Sequence, residues 1–211
     1  MPLEPGCPRC PAPVRAAGPG WHCPDHGAIT PLWRPSIPDY ESLAEHLVRA
    51  GEMPTFIPWP LSPGWTVTDF GPVWAPGAPA RASFLTCAGP SDLDGVVDVT
   101  VVSEEPGVGL GARFASLHRT DPGPDIGDRP ADAKVRIRGH PTPLWSVLTH
   151  DADESLDRFL LAGEAEGRWL WLVLRPASSA LLLTDEWLLV NLADHGPELI
   201  DLPFGGSPPA L

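Results

Sequence analysis

The sequence predicts an α+β, mostly β fold: a small N-terminal zinc ribbon followed by a largely antiparallel β-sheet domain with one or two helices. Three observations predict it. Short apolar runs of strand length outnumber helical patterns. Twenty-nine prolines and 21 glycines among 211 residues cut the chain into short elements joined by turns. Metal-ligand residue types cluster at the amino end: Cys7-Pro8-Arg9-Cys10, then twelve residues, then Cys23-Pro24-Asp25-His26-Gly27.

The cluster reads as a ribbon for geometric reasons. Zinc takes four ligands in a tetrahedron, and each C-x2-C or C-x2-H turn supplies two of them. Cys7 and Cys10 form the first turn, Cys23 and His26 the second. Pro8 and Pro24 stiffen the turns, and Gly27 stands where a tight turn needs positive φ. His22 and Asp25 are rival fourth ligands, although neither keeps the spacing. A disulfide is the competing reading, but three close cysteines cannot all pair. Four protein ligands leave no open position for water or substrate, so the zinc is expected to be structural.

Hydrophobic residues make up 43% of the chain, enough for a real core. The formal net charge is −13. Residues 1–34 carry Arg9, Arg15 and Arg34 against Glu4 and Asp25, a local balance of +1, so the rest carries −14. Such a surface repels nucleic acid, which leaves the ribbon, with Arg9 and Arg15, as the only place for it to dock. Nucleic acid is therefore not an expected partner. Met-Pro-Leu-Glu-Pro is not the start of a signal peptide, and no apolar run is long enough to span a bilayer, so the expected setting is cytoplasmic without membrane contact. Cys87 follows apolar residues and reads as a buried thiol.

In order, residues 1–34 form the ribbon module, with Thr30–Trp33 completing its second hairpin. Residues 35–64 hold a helix and a Pro-rich connector. The helix is expected over Pro38–Ala50, capped by Ser36 with Asp39 reaching back. Tyr40, Leu43, Leu47 and Val48 form its apolar stripe and Gly51 ends it. Four prolines in residues 54–64 forbid helix and central strand, so this run is an extended connector packed through Phe56, Ile57, Trp59 and Leu61. Residues 65–204 form the β-rich domain. Strands are expected at Trp65–Phe70, Ala80–Cys87, Val96–Ser103, Ala133–Arg138, Leu144–Thr149, Phe159–Ala165, Arg168–Leu174 and Trp187–Leu192. Arg168–Leu174 is apolar on both faces, as a central strand is. Pro176–Leu183 reads as a short helix, and residues 205–211 as a tail.

Other chemistry-bearing patterns are weaker. Gly107–Gly111, with Glu104, Glu105 and Arg113, suggests a phosphate loop, yet it has neither G-x-G-x-x-G spacing nor a Lys-Ser/Thr end. Asp121, Asp125 and Asp128 lack the regular spacing of a calcium loop. His118, His140 and His150 are dispersed and have no nucleophile beside them. The nine tryptophans read mainly as core, with Trp74 expected at the surface.

Several stretches occur in one order: the ribbon, Pro58-Trp59-Pro60-Leu61 with Gly64-Trp65, Gly107–Arg113, Pro143-Leu144-Trp145, and Gly163-Glu164-Ala165 through Trp169-Leu170-Trp171. With these, nearly the whole chain resembles a family of uncharacterised actinobacterial proteins carrying an N-terminal zinc ribbon and a domain of unknown function. The resemblance implies a metal site at Cys7, Cys10, Cys23 and His26 and a bacterial cytoplasmic setting. It implies no activity or substrate. Its C-terminal Phe204-Gly205-Gly206-Ser207-Pro208 departs from the family's Gly-Ala-Leu-Ser-Pro ending. The expected function is a non-enzymatic protein-interaction or regulatory module with a protein partner. The alternative is a small-ligand binder or enzyme using the Gly107–Gly111 loop with Glu104, Glu105 and Arg113.

Overall fold

The fold is that of a computed structural model, which describes residues 3–91, 95–147, 157–184, 187–195 and 201–206. The ribbon region holds β1 (Leu3–Gly6), β2 (Arg15–Ala17), β3 (Gly20–Cys23), β4 (Gly27–Ile29) and β5 (Leu32–Pro35). Helix α1 spans Tyr40–Ala50 and strand β6 spans Phe56–Pro58. The long central strands are β7 (Thr66–Val73), β8 (Ala82–Ser91) and β9 (Gly95–Glu104), followed by the short helix α2 (Leu110–Phe114). Then come β10 (Ala133–Ile137), β11 (His140–Ser146), β12 (Phe159–Ala165) and β13 (Arg168–Arg175). A 3-10 helix over Ala177–Thr184 and strand β14 (Trp187–Asn191) complete the set.

Eleven strands form one sheet in the order β1-β5-β7-β8-β9-β13-β12-β11-β10-β14-β6, and β2-β3-β4 form a second. The fold is mostly β with a large antiparallel sheet, as the sequence predicts; β10–β14 is a parallel pair. β6, at the far end of the order, packs near β8 and β9 at its middle, so the sheet rolls upon itself. Val99, Val101, Leu85, Leu172, Ile57 and Leu189 share the cluster inside the roll. Phe84, Val102, Trp171 and Val173 point to the other face, where Leu110 and Phe114 of α2 cover them. β8, β9 and β13 are buried on both faces; β13 accordingly reads as a continuous apolar run, whereas β9 keeps its alternation at Val97, Val99 and Val101 and yet buries Thr100 and Val102 on the other face. Each fully buried leucine here contributes about 1.5–3 kcal/mol relative to exposure.

Several expectations shift. Thr30–Trp33 does not complete the second ribbon hairpin, which ends at Ile29. Leu32–Pro35 instead pairs with β1 and meets β7 at Val73. The Arg34–Asp69 ion pair fastens that junction, with Asp69 buried. Burial pushes the Asp69 carboxyl pKa up, and Arg34 opposes it. The cap of α1 is Asp39 rather than Ser36. Its Oδ1 accepts the Ser42 N–H at 2.7 Å, while Ser42 Oγ accepts the Asp39 N–H at 3.1 Å. The buried face of α1 is also rotated. Tyr40 is 46% exposed and Val48 83%, whereas Ser42, Leu43, His46 and Ala50 are buried. His46 explains the rotation: its Nε2 bonds Thr55 Oγ1 at 2.8 Å, and that hydroxyl meets Ser83 Oγ at 2.6 Å. Within the Pro-rich run, β6 sits at the end of the sheet, where strand prolines are tolerated.

Candidate metal centre

The N-terminal strands bring the four expected residues together. Cys7 follows β1 directly, and Cys23 is the last residue of β3. The β3–β4 register pairs Cys23 with Gly27, so Pro24-Asp25-His26 make a tight turn. Gly27 has φ +69°, a conformation glycine adopts without a Cβ penalty. The ligand atoms of Cys7, Cys10, Cys23 and His26 all lie within 4.8 Å of one another. His26 Nδ1 is 3.6 Å from Cys7 Sγ and 3.6 Å from Cys23 Sγ, and Cys10 Sγ is 3.5 Å from Cys23 Sγ. A tetrahedron with zinc–sulfur and zinc–nitrogen bonds of ordinary length has edges of about 3.4–3.8 Å. These four residues could hold a metal ion.

The chemistry of the donors agrees with a cation. Thiols this crowded resist ionising together. The Cys10 thiol is pushed up to about 12, first by burial and then by Cys23 and Cys7. The Cys23 thiol, although burial acts to raise it, is drawn down to about 7 by His26 and the nearby amides. A divalent ion held there would stabilise every thiolate at once. Of the rivals, Asp25 Oδ2 comes within 3.6 Å of Cys10 Sγ, and His22 faces Arg15 and Ala28 in the ladders of the small sheet.

Two arginines join the knuckle to the Gly107–Gly111 loop. Arg9, between Cys7 and Cys10, donates Nε to the Val108 carbonyl at 3.0 Å and Nη2 to the Gly107 carbonyl at 2.7 Å. Arg113, in the last turn of α2, donates to the Cys7 carbonyl. Burial lowers the Arg113 pKa and the like charge of Arg34 adds to this, while Cys7, Cys10 and Asp69 act against them.

The residues of the phosphate-loop pattern do not converge on a cavity. The Glu104 carboxyl turns inward and accepts the N–H groups of Leu110 and Gly111. Glu105 pairs with Arg81, and its carbonyl receives the Val108 N–H. The Gly107 N–H donates to Asp121. The amides of Gly107, Val108, Leu110 and Gly111 are thus engaged inside the protein, and the carbonyls of Gly107 and Val108 face a cation, Arg9. The polarity is opposite to that of a phosphate cradle.

The remaining candidates are spread out. Asp121 anchors the loop, while Asp125 and Asp128 do not join a metal cluster among the described residues. His118 and His140 are exposed, and His150 lies outside the described residues. Cys87 is a buried free thiol whose pKa burial raises. Trp59, Trp65 and Trp187 line a cleft of about 750 Å³ with prolines of the connector. Trp74 is half-buried rather than exposed, because Arg49 lies over its ring and that of Trp33. The roles of Arg9 in the loop and of His46 in the core escaped the sequence. Arg9 carries only one local signal, its place between two ligands.

No helix among the described residues is long and apolar enough to cross a membrane. No curated protein and no solved structure matches the chain. A match over residues 1–211 places the chain in a family of unknown function, DUF6758, to which it belongs.

Proposed function

We propose that the chain is a non-catalytic interaction or regulatory protein whose amino end is held by one structural zinc ion on Cys7, Cys10, Cys23 and His26. The observation that carries this reading is the convergence of four donor atoms within 4.8 Å of one another, with Cys7–His26, Cys23–His26 and Cys10–Cys23 at 3.5–3.6 Å. Three thiolates and one imidazole favour zinc over hard cations, which prefer oxygen. Bound zinc would supply cross-linking rather than chemistry, since four protein ligands fill its coordination sphere. Three thiols free of disulfides suit a reducing, cytoplasmic compartment. The engagement of the loop amides by Glu104, Glu105 and Asp121 weighs against the ligand-binding alternative. An acidic surface favours a protein partner over nucleic acid.

Elemental analysis of the full chain, purified without chelators, tests the metal reading. One equivalent of zinc is expected, lost in Cys7→Ser/Cys23→Ser. Metal-free wild-type protein, or zinc retained by the double variant, refutes it. For the interaction reading, a partner recovered from lysate must bind the purified chain with measurable affinity, and a chain that recovers none counts against it.

A further inference from the structure

We propose that the metal site and the Gly107–Gly111 loop are one coupled unit, in which the metal-loaded knuckle latches the loop and α2 through Arg9 and Arg113. This rests on the reading of Cys7, Cys10, Cys23 and His26 as a metal site.

The latch has two arms that run in opposite directions. Arg9 has its own N–H on Cys7 Sγ, at 3.4 Å, so the atoms that would bind metal also fix its backbone. From there its guanidinium reaches the two loop carbonyls across about a hundred residues of sequence. Arg113 returns from α2 to the carbonyl of Cys7 itself. Gly109 makes room for the Arg9 stem: its φ is +85°, and a Cβ there would lie 3.3 Å from Arg9 Cγ and 3.2 Å from Thr120 Cγ2. α2 has only five residues, and its first amides are held by Glu104 of β9 rather than by a cap residue of its own, so it depends on tertiary contacts.

Two consequences follow from linkage. Metal binding orders the loop, and the ordered loop tightens metal binding by the same factor.

Hydrogen exchange over residues 105–115 and a zinc competition titration, both on the full chain, test this. Stripping zinc is expected to speed exchange in 105–115 and leave β8, β9 and β13 protected. Arg9→Ala should speed the same amides with zinc still bound, and weaken zinc affinity about 5–150-fold, the usual size of coupling between two linked sites. Arg9→Lys should fall between, because an ammonium cannot offer the two-pronged fork; it also decides the matter if Arg9→Ala does not fold. Equal loop exchange with and without zinc, or wild-type zinc affinity in both variants, overturns the latch. Zinc stoichiometry of the wild type is read separately: a chain that binds none overturns the metal reading itself and the latch with it.

Discussion

Glu104 Oε2 accepts the Leu110 N–H at 2.7 Å, so a carboxyl group at the end of β9 caps the start of α2. Its other oxygen takes the Gly111 N–H at 3.2 Å, and the side chain is fully buried. Burial raises its pKa from 4.5 to about 7 against the pull of those two amides. The folded state therefore holds this proton more tightly than the unfolded chain. Its contribution to stability is greatest below about 4.5 and falls as pH rises to about 7. In urea denaturation across pH, the difference between wild type and Glu104→Gln should shrink through that window. A constant difference contradicts the assignment. Glu104→Ala orphans two amides and should cost about 2–4 kcal/mol.

His46 produces the opposite slope. It is fully buried, bonds through Nε2 to hydroxyls while its Nδ1 has no partner among the described residues, and burial lowers its pKa from 6.5 to about 3. The unfolded chain takes up its proton first, so stability is lost as pH falls from about 6.5 to about 3. His46→Gln should flatten this acid limb while losing stability near neutral pH. An unchanged acid limb in the variant, measured with the same urea series, would show that the loss comes from elsewhere.

The two residues also show what sequence could and could not reveal. The knuckles were legible because their geometry is written within a few neighbouring residues, where spacing fixes it. Most strands from β7 to β14 were legible as apolar runs, whereas β11, expected at Leu144–Thr149, begins at His140 in a His-Pro-Thr-Pro start that carries no apolar signal. The burial of His46 was not, since it depends on hydroxyls on β8 and before β6 that only the rolled sheet brings near. Periodicity alone placed Val48 inward, whereas the buried polar pair turns α1 the other way. The departure of Leu32–Pro35 into the main sheet likewise depends on a distant partner, Val73. Asp39 as cap was hidden by Ser36, an equally suitable residue three positions earlier.

Gly71 is where that departure is most tightly packed. A Cβ on Gly71 would stand 2.1 Å from the Trp33 carbonyl oxygen and 3.1 Å from a Phe84 ring carbon. The nearest obstacle is backbone, which cannot swing aside as a side chain can. Gly71→Ala should therefore force β5 from β7 and cost about 1–3 kcal/mol or more. Gly77→Ala, with nothing within 4 Å but φ +80°, serves as the comparison, since only conformational strain acts there. Thermal melts of both variants check this; a smaller loss at Gly71 than at Gly77 would mean that the junction yields easily.

The choice between His26 and Asp25 as fourth ligand can be tested at the candidate metal centre. His26 Nδ1 lies 3.6 Å from both Cys7 Sγ and Cys23 Sγ, so it stands over the cluster. Asp25 Oδ2 lies 3.6 Å from Cys10 Sγ, a contact in which the thiol must keep its proton to donate. Once Cys10 ionises to bind metal, that hydrogen bond is gone and two negative groups face each other. Asp25→Asn should then keep one equivalent of metal and bind it at least as tightly as wild type. His26→Ala should remove a first-hand ligand and open the site to water, which changes the cobalt(II) ligand-field spectrum as well as the affinity. Cobalt(II) titration of both variants compares these outcomes directly. Loss of binding in Asp25→Asn with an unaltered spectrum in His26→Ala would transfer the fourth position to the carboxylate.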